Sequence, residues 1–262
     1  RVILITGGCG LLGQGYAAMV IEYGGIPILL DVNKRQGKKV AESISGRKRS
    51  ECLFLECDIT DEEAVIWCKD EVLSRFGRID VLINNAAIAP KVGQSGVMNS
   101  SRLENFSIDQ WNLELSVGLT GAMICSKVFG QEMSRDGGVI LNISSDLGLI
   151  SPDQRLYRKE GESEDSQSVK PVTYSVIKHG VIGLTKYLAT YWPTKVRSNA
   201  LCPGGVYAGQ SEEFVNKIST LIPLGRMATK EEYKEAVIFL ISDASSYMNG
   251  AVLNLDGGRS TW

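Results

Sequence analysis

Tyr174 and Lys178 stand in the run Tyr174-Ser-Val-Ile-Lys178, a spacing that puts a phenol and an ammonium on one face of a helix. A phenol near pKa 10 is a poor acid–base catalyst at neutral pH. A neighbouring cation stabilises the phenolate and draws that pKa toward a useful range. The pair is therefore a candidate for moving a proton on or off a substrate oxygen. Because Tyr-x-x-x-Lys arises often by chance, its meaning depends on the residues around it.

A second constellation sits at the start of the chain. Thr6-Gly7-Gly8-Cys9-Gly10-Leu11-Leu12-Gly13 follows an apolar β-branched run and opens an amphipathic one. It contains Gly8-x-Gly10-x-x-Gly13, which has meaning in this strand-to-helix context. Glycines let the backbone approach a pyrophosphate, and the helix N-terminus offers it unpaired N–H groups. Asp31 closes the next strand 18 residues beyond Gly13, where a carboxylate accepts hydrogen bonds from an adenosine ribose. A 2′-phosphate beside it would bring like charges together at a cost of several kcal/mol, and Gly8 and Cys9 supply no base to offset that. The expected cofactor is NAD, with NADP disfavoured.

The elements that must hold these residues follow from the patterning. Strands are expected at Val2–Thr6, Ile26–Asp31, Cys52–Cys57, Ile79–Asn84, Gly138–Ser144, Lys195–Leu201 and Ala251–Leu255. Several are apolar on consecutive residues, as strands covered on both faces must be. Helical patterns run through Leu11–Tyr23, Lys34–Ser45, Asp61–Phe76, Ile108–Ser134, Val172–Tyr191 and Lys230–Ser242. Thr60 and Glu63 have the spacing of a capping box for the third of these. The alternation reads as an α/β fold, a doubly wound parallel sheet of seven strands with helices on both faces. With no repeat, linker or composition break, residues 1–262 are expected to form a single domain. One segment breaks the rhythm: Asp153–Lys170 holds nine charged residues in eighteen, within an insertion spanning 149–171. Loops of this length are lids or disordered tethers more often than plain connections.

Composition removes other classes. The 262 residues are 44% hydrophobic and 22% charged, with 28 basic and 30 acidic side chains. This is globular rather than disordered, and it lacks the basic stripe that nucleic acid requires. No apolar run approaches a bilayer span. Six scattered cysteines and a single histidine, His179, argue against a metal site, and free thiols suit the reducing cytoplasm. The chain starts at Arg1, already inside an apolar run, so it is silent on any targeting segment.

Taken in order, the glycine turn, Asn84-Asn85-Ala86-Ala87, Ile143-Ser144-Ser145, Tyr174/Lys178 and Pro203-Gly204 resemble the short-chain dehydrogenase/reductase family along essentially the whole chain. The resemblance implies a Rossmann-type single domain, an NAD-linked interconversion of a secondary alcohol and a ketone, a small-molecule substrate, and a homodimer or homotetramer. It makes Tyr174 the general acid/base, with Lys178 binding the nicotinamide ribose and lowering the tyrosine pKa. Ser145 would hydrogen-bond the reacting oxygen; it is preferred to Ser144 because it lies three residues before Gly148. Asn84, Asp58 and Ile59 would line the adenine side and Val206 the nicotinamide, with Gly7, Gly10, Leu11, Leu12, Ala86 and Pro203 completing the cofactor site.

Four departures accompany that resemblance. The Thr-Gly-x-x-Gly-x-x-Gly spacing is that of the family's longer, sugar-nucleotide branch. Gly118 stands where the asparagine of the family's proton relay would align, so a water or a different side chain must deliver the proton. Ala208 replaces the threonine expected after Pro203-Gly204. Ser145 and Tyr174 are 29 residues apart because of the charged insertion. Pro171-Val-Thr-Tyr-Ser-Val-Ile-Lys-His-Gly, Leu184-Thr-Lys-Tyr-Leu-Ala-Thr-Tyr-Trp and Pro203-Gly-Gly-Val-Tyr resemble bacterial reductases of flagellin-modification and nonulosonic-acid pathways, which implies a sugar or sugar-phosphate-like substrate in bacterial glycan biosynthesis. On this reading the insertion closes over an anionic sugar-type substrate with Arg155, Arg158, Lys159 and Lys170 as its anchors. The alternatives are a non-redox sugar-nucleotide epimerase or dehydratase, and a non-catalytic dinucleotide-binding regulator. Elsewhere, Cys9 is expected to fill the phosphate turn, His179 to point away from the Tyr/Lys face, and Trp67 to lie in the core.

Overall fold

The computed structural model describes residues 1–46, 51–88 and 100–262. Its strands are β1 (Val2–Thr6), β2 (Ile26–Asp31), β3 (Leu53–Glu56), β4 (Val81–Asn84), β5 (Gly138–Ile143), β6 (Val196–Pro203) and β7 (Val252–Leu255). They form one parallel sheet in the order β3-β2-β1-β4-β5-β6-β7. The order reverses between β1 and β4, and ligands of such sheets bind in the crevice at the strand ends there.

The helices are α1 (Leu11–Glu22), α2 (Lys34–Ser45), α3 (Glu62–Phe76), α4 (Ile108–Leu115), α5 (Gly121–Asp136), α6 (Val172–Tyr191), α7 (Glu212–Ser219) and α8 (Lys234–Ile241). Alternate residues of each strand feed opposite faces. Ile3 and Ile5 of β1 pack with Tyr16 and Met19 of α1 and Val237 and Leu240 of α8. Val2 and Leu4 pack on the other side with Val65 and Cys68 of α3 and Cys125 and Phe129 of α5. A large side chain fully buried in either layer contributes roughly 1.5–3 kcal/mol.

Several local expectations are revised. Thr60 does not cap α3: its hydroxyl donates to Asp58 Oδ1 at 2.7 Å, and Asp61 caps instead by accepting from Glu63 N at 3.0 Å. Trp67 is 50% exposed, because the buried stripe of α3 is Val65, Cys68 and Val72 and Trp67 falls beside it. The stretch after Ile108 is helical but widens into a single π-type turn, Ser116–Thr120, between α4 and α5, with Gly118 at its centre. By length and composition the whole of Ile108–Asp136 is apolar enough to cross a membrane, although over half of that stretch is buried; α5 is a core helix against β4, β5 and α3. Helix α7 carried no clear signal in the sequence. It receives the insertion, whose Leu156 packs with Ile218, Ile222 and Met227.

Candidate active site

The turn after β1 is held closed by its own neighbours. Gly7 has φ +60°, and a Cβ there would stand 2.8 Å from Ala86 Cα. Thr6 Oγ1 accepts from Asn85 N and Ala86 N, each at 3.0 Å, which ties β1 to β4 at the switch point. A Cβ on Gly13 would approach Gly7 O to 2.5 Å, so α1 can start this close to the turn only with glycine. No side chain caps α1 and no acid lies in its first turn, leaving its positive end available to an anion. Cys9 is clamped: its N–H donates to Asp31 Oδ2 at 3.1 Å, and its carbonyl accepts from Gln14 Nε2 and Gln36 Nε2 at 2.7 and 2.8 Å. Burial, aided by Asp31, pushes its thiol up to about 12, so it is an inert filler. Asp31 Oδ1 takes Asn33 N at 3.0 Å, and each carboxylate oxygen keeps a lone pair for a further donor. These residues fit a dinucleotide, with Gly7, Gly10, Leu11 and Leu12 at its pyrophosphate and Asp31 at its adenosine ribose.

The other residues expected at the cofactor are spread along the same edge. Asp58 is exposed at the end of β3, whereas Ile59 turns its side chain into the core. Asn84 is also turned inward: its Nδ2 donates to Asn142 Oδ1 at 2.8 Å and Ser126 Oγ at 3.0 Å. At Ile59 only backbone is left for a polar contact, whereas Asn84 Oδ1 is buried without a hydrogen-bond partner. Ala86 borders Gly7. Pro203 ends β6, and Val206 pairs with Ala228. Beside Ala208, Gln210 spans the loop, its Oε1 accepting from Ala208 N at 2.7 Å and its Nε2 donating to Val206 O at 3.0 Å.

Ser145, Tyr174 and Lys178 come together although β5, the insertion and α6 carry them. Ser144 faces away, its hydroxyl donating to Lys178 O at 2.7 Å. Ser145 lies beside the Tyr174 phenol and favours its ionised form; burial, with the nearby Asp146 carboxylate, outweighs this and raises the pKa of Tyr174. Lys178 Nζ lies 5.8 Å from the Tyr174 ring centroid and donates to Ile143 O at 2.8 Å. Burial lowers its pKa to about 8. Burial of the phenol, with the Asp146 carboxylate beside it, is why the expected lowering of the tyrosine pKa does not prevail in this arrangement. His179 turns outward, with Nδ1 2.9 Å from Ser175 O.

The insertion is ordered by its own polar groups. Gln167 accepts from Lys159 N at 2.7 Å and donates to Lys159 O and Glu162 O. Three of its bases are matched within it: Arg155 with Asp153, Arg158 with Glu164 and Lys159 with Glu162. Lys170 alone turns to the site, its Nζ 3.8 Å above the Tyr174 ring. Burial brings this ammonium down to about 8.

Three buried polar positions in and behind the site had little or no signal in the sequence. Asp146 Oδ1 accepts from the Ser145 hydroxyl at 2.7 Å, and its Oδ2 pairs with Arg259 Nη1 at 2.8 Å, both residues being at least 94% buried. Asp146 adjoins the serine motif and could have been noticed; Arg259 lies 113 residues away and carried no signal. Glu114, one helical turn before Gly118, is 3% exposed.

Comparison with known proteins agrees with this geometry. The short chain dehydrogenase family model matches residues 1–157, and the Enoyl-(Acyl carrier protein) reductase model matches 163–260. The chain is 31% identical to trans-4-hydroxycyclohexanecarboxylate dehydrogenase of Sinomonas cyclohexanicum, over 99% of this chain and 93% of that one. Among solved structures, NAD+-bound xylitol dehydrogenase superposes with TM-score 0.85 at 27% identity, covering 98% of each chain. A gluconate 5-dehydrogenase from Burkholderia cenocepacia in complex with NADP and tartrate superposes with TM-score 0.85 at 25% identity, covering 100% of this chain and 96% of that one. With a seven-stranded sheet of the same architecture, two family models matched along its length and a 31% identical relative covering it, the chain belongs to the short-chain dehydrogenase/reductases and is an oxidoreductase acting on CH–OH groups.

Proposed function

We propose that residues 1–262 act as one NAD-dependent unit that interconverts a secondary alcohol and a ketone on a small polyhydroxylated, sugar-type substrate. The observation that carries the reading is the convergence of Ser145, Tyr174 and Lys178 next to a cleft whose far end presents Asp31. The bound dinucleotide supplies the hydride acceptor or donor. In the oxidative direction Tyr174 takes the hydroxyl proton, Ser145 orients the hydroxyl, and Lys178 presents a cation beside the phenol. Asp31 disfavours a 2′-phosphate by like charge, and the nearby Lys34 is already paired with Glu56 at 2.7 Å, which supports NAD over NADP. A sugar-type substrate is supported by the motifs shared with flagellin-modification and nonulosonate-pathway reductases, and by relatives named for polyols and hydroxy acids. Exposed Leu113, Met123, Val176, Tyr187 and Tyr191 on α4, α5 and α6 support a homo-oligomer, in which a second copy would cover these apolar side chains.

The test is turnover of NAD+ and NADP+ against a panel of polyols, sugar acids and hydroxycycloalkane carboxylates, followed by nicotinamide absorbance. Preference for NAD+ with one of the hydroxylated substrates is expected. Turnover with NADP+ alone would overturn the cofactor reading, and light scattering of a monomer would overturn the oligomer.

A further inference from the structure

Gly118 stands where the family's relay asparagine would align, and the fold leaves no room for that side chain. A Cβ on Gly118 would lie 2.8 Å from Ile177 Cγ2, which is fixed near its own backbone and cannot easily swing aside. One turn earlier, Glu114 occupies the interior. Its Oε1 accepts from Gln110 Nε2 at 2.7 Å and its Oε2 from the Thr173 hydroxyl, so its hydrogen-bonding partners are uncharged. Keeping a carboxyl group buried on neutral partners is costly.

Glu114 lines a small cavity together with Gly118, Lys170, Tyr174 and Lys178; the remaining described walls are Ala, Ile and Pro. Its volume is about 10 Å³, the room of one water. Glu114, Lys170, Tyr174 and Lys178 are the polar side chains that border it, and a held water needs such partners. Lys170 also lines an open groove of about 350 Å³ beside α6, so it connects the cavity to solvent.

We propose that Glu114 is the proton-relay residue of this chain, exchanging protons with the Tyr174–Lys178 pair through one water in this cavity and with solvent past Lys170. The inference rests on the alcohol–ketone reading above. Each oxidation removes a hydride and a proton from the CH–OH group. The hydride leaves on the nicotinamide and the proton passes to Tyr174. For the next turnover that proton must leave: the cavity water takes it and gives one of its own to the Glu114 carboxylate. Glu114 then returns it, by way of Lys170, to water in the groove. Lys170 is suited to this because burial brings its ammonium down to about 8, near the working pH of a proton carrier. In the reductive direction the same steps run backwards.

The experiment is steady-state oxidation by E114Q and E114A in dilute buffer. E114Q preserves the shape and can keep both contacts once the Thr173 hydroxyl rotates to accept from its amide nitrogen, but it carries no proton, whereas E114A opens space for a small acid. Expected for E114Q are NADH affinity within about twofold of wild type and kcat lowered about tenfold, with a larger solvent deuterium isotope effect. E114A should regain several-fold activity, saturably, with added formate, an effect that a purely structural role would not produce. Wild-type kinetics in E114Q, or indifference of E114A to formate, overturns the relay. A wild-type enzyme that oxidises no alcohol in the panel instead overturns the underlying function, so the two failures are separable.

Discussion

The two ends of the cleft are built on different plans. At the cofactor end, Gly7, Cys9, Gly13 and Asp31 lie within 25 residues of chain and act largely through backbone: the absence of Cβ atoms, two N–H donors onto Asp31, and the open end of α1. At the catalytic end, side chains from α4, β5, the insertion, α6 and the final turn converge, with Asp146 and Arg259 meeting across 113 residues. A site made from local backbone tolerates changes in the rest of the chain and reads out as a motif. A site made from distant side chains depends on every element that carries them, so one chain can lose the usual asparagine and still place a buried acid nearby.

The largest expected effect falls on the catalytic end. Tyr174→Phe should lower kcat about 10³-fold or more while leaving NADH affinity near wild type, because the phenol acts on the reacting oxygen and not in cofactor capture. Stopped-flow turnover and calorimetry check both halves, and residual activity near wild type would refute the assignment of the acid/base.

Next, Arg259→Leu strips a buried carboxylate of its partner. Loss of one member of such a pair costs about 3–5 kcal/mol, read as a drop in the urea midpoint. Ser145 would also lose its fixed acceptor, so kcat should fall alongside stability. A stable, fully active variant would show that the C-terminal turn is not coupled to the site.

At the cofactor end the expected change is smaller and selective. Asp31→Ala should narrow the NAD over NADP preference by about tenfold, equivalent to about 1.4 kcal/mol of charge repulsion and lost ribose bonding. Titration of both cofactors measures it, and an unchanged ratio would move the discriminating group elsewhere.

Lys170→Met probes the cost of burial at the catalytic end. The folded pKa of Lys170, about 8, lies below its unfolded value, so the charged form is penalised in the fold. That penalty is present in full below pH 8 and is lost as pH rises toward the unfolded value. The variant should therefore gain about 1 kcal/mol near pH 7, discounted for the lost contact with Tyr174, and the gain should fade by pH 10. A gain independent of pH would disprove the assignment.

The smallest effect is expected from neutralising Arg155, Arg158 and Lys159 together. The sequence alone suggested that these bases anchor an anionic substrate, but each is exposed and paired inside the insertion, where ion pairs contribute at most about 1 kcal/mol. KM should stay within about twofold of wild type. A marked rise would mean that the insertion opens its pairs to the substrate.

Much of the fold was legible because its signals are local. Val2–Thr6 and Ile26–Asp31 are apolar on successive residues, and both faces of their sheet are in fact covered. Ser145 could be preferred to Ser144 by its distance from Gly148, and the Ser144 hydroxyl is turned to Lys178 O. Trp67 was misjudged because one helical turn of composition does not say which stripe meets the sheet. The Thr60–Glu63 box failed because Asp58 competed for the same hydroxyl. Helix α7 stayed hidden because its eight residues bury only Ile218 outright, and it is held by the insertion that it packs against.

By itself the sequence determined the sheet order's raw material, the glycine turn with its acid, and the Tyr174–Lys178 pair, since each depends on residue type at short spacing and on backbone geometry that few residues can adopt. Only the tertiary structure decided which of the insertion's bases faces Tyr174, which acid holds Ser145, and that a buried Glu114 borders the same cavity as Gly118. Those outcomes are set by the packing of segments far apart in the chain, where a buried charge is tolerated only if the fold happens to bring it a partner or a water.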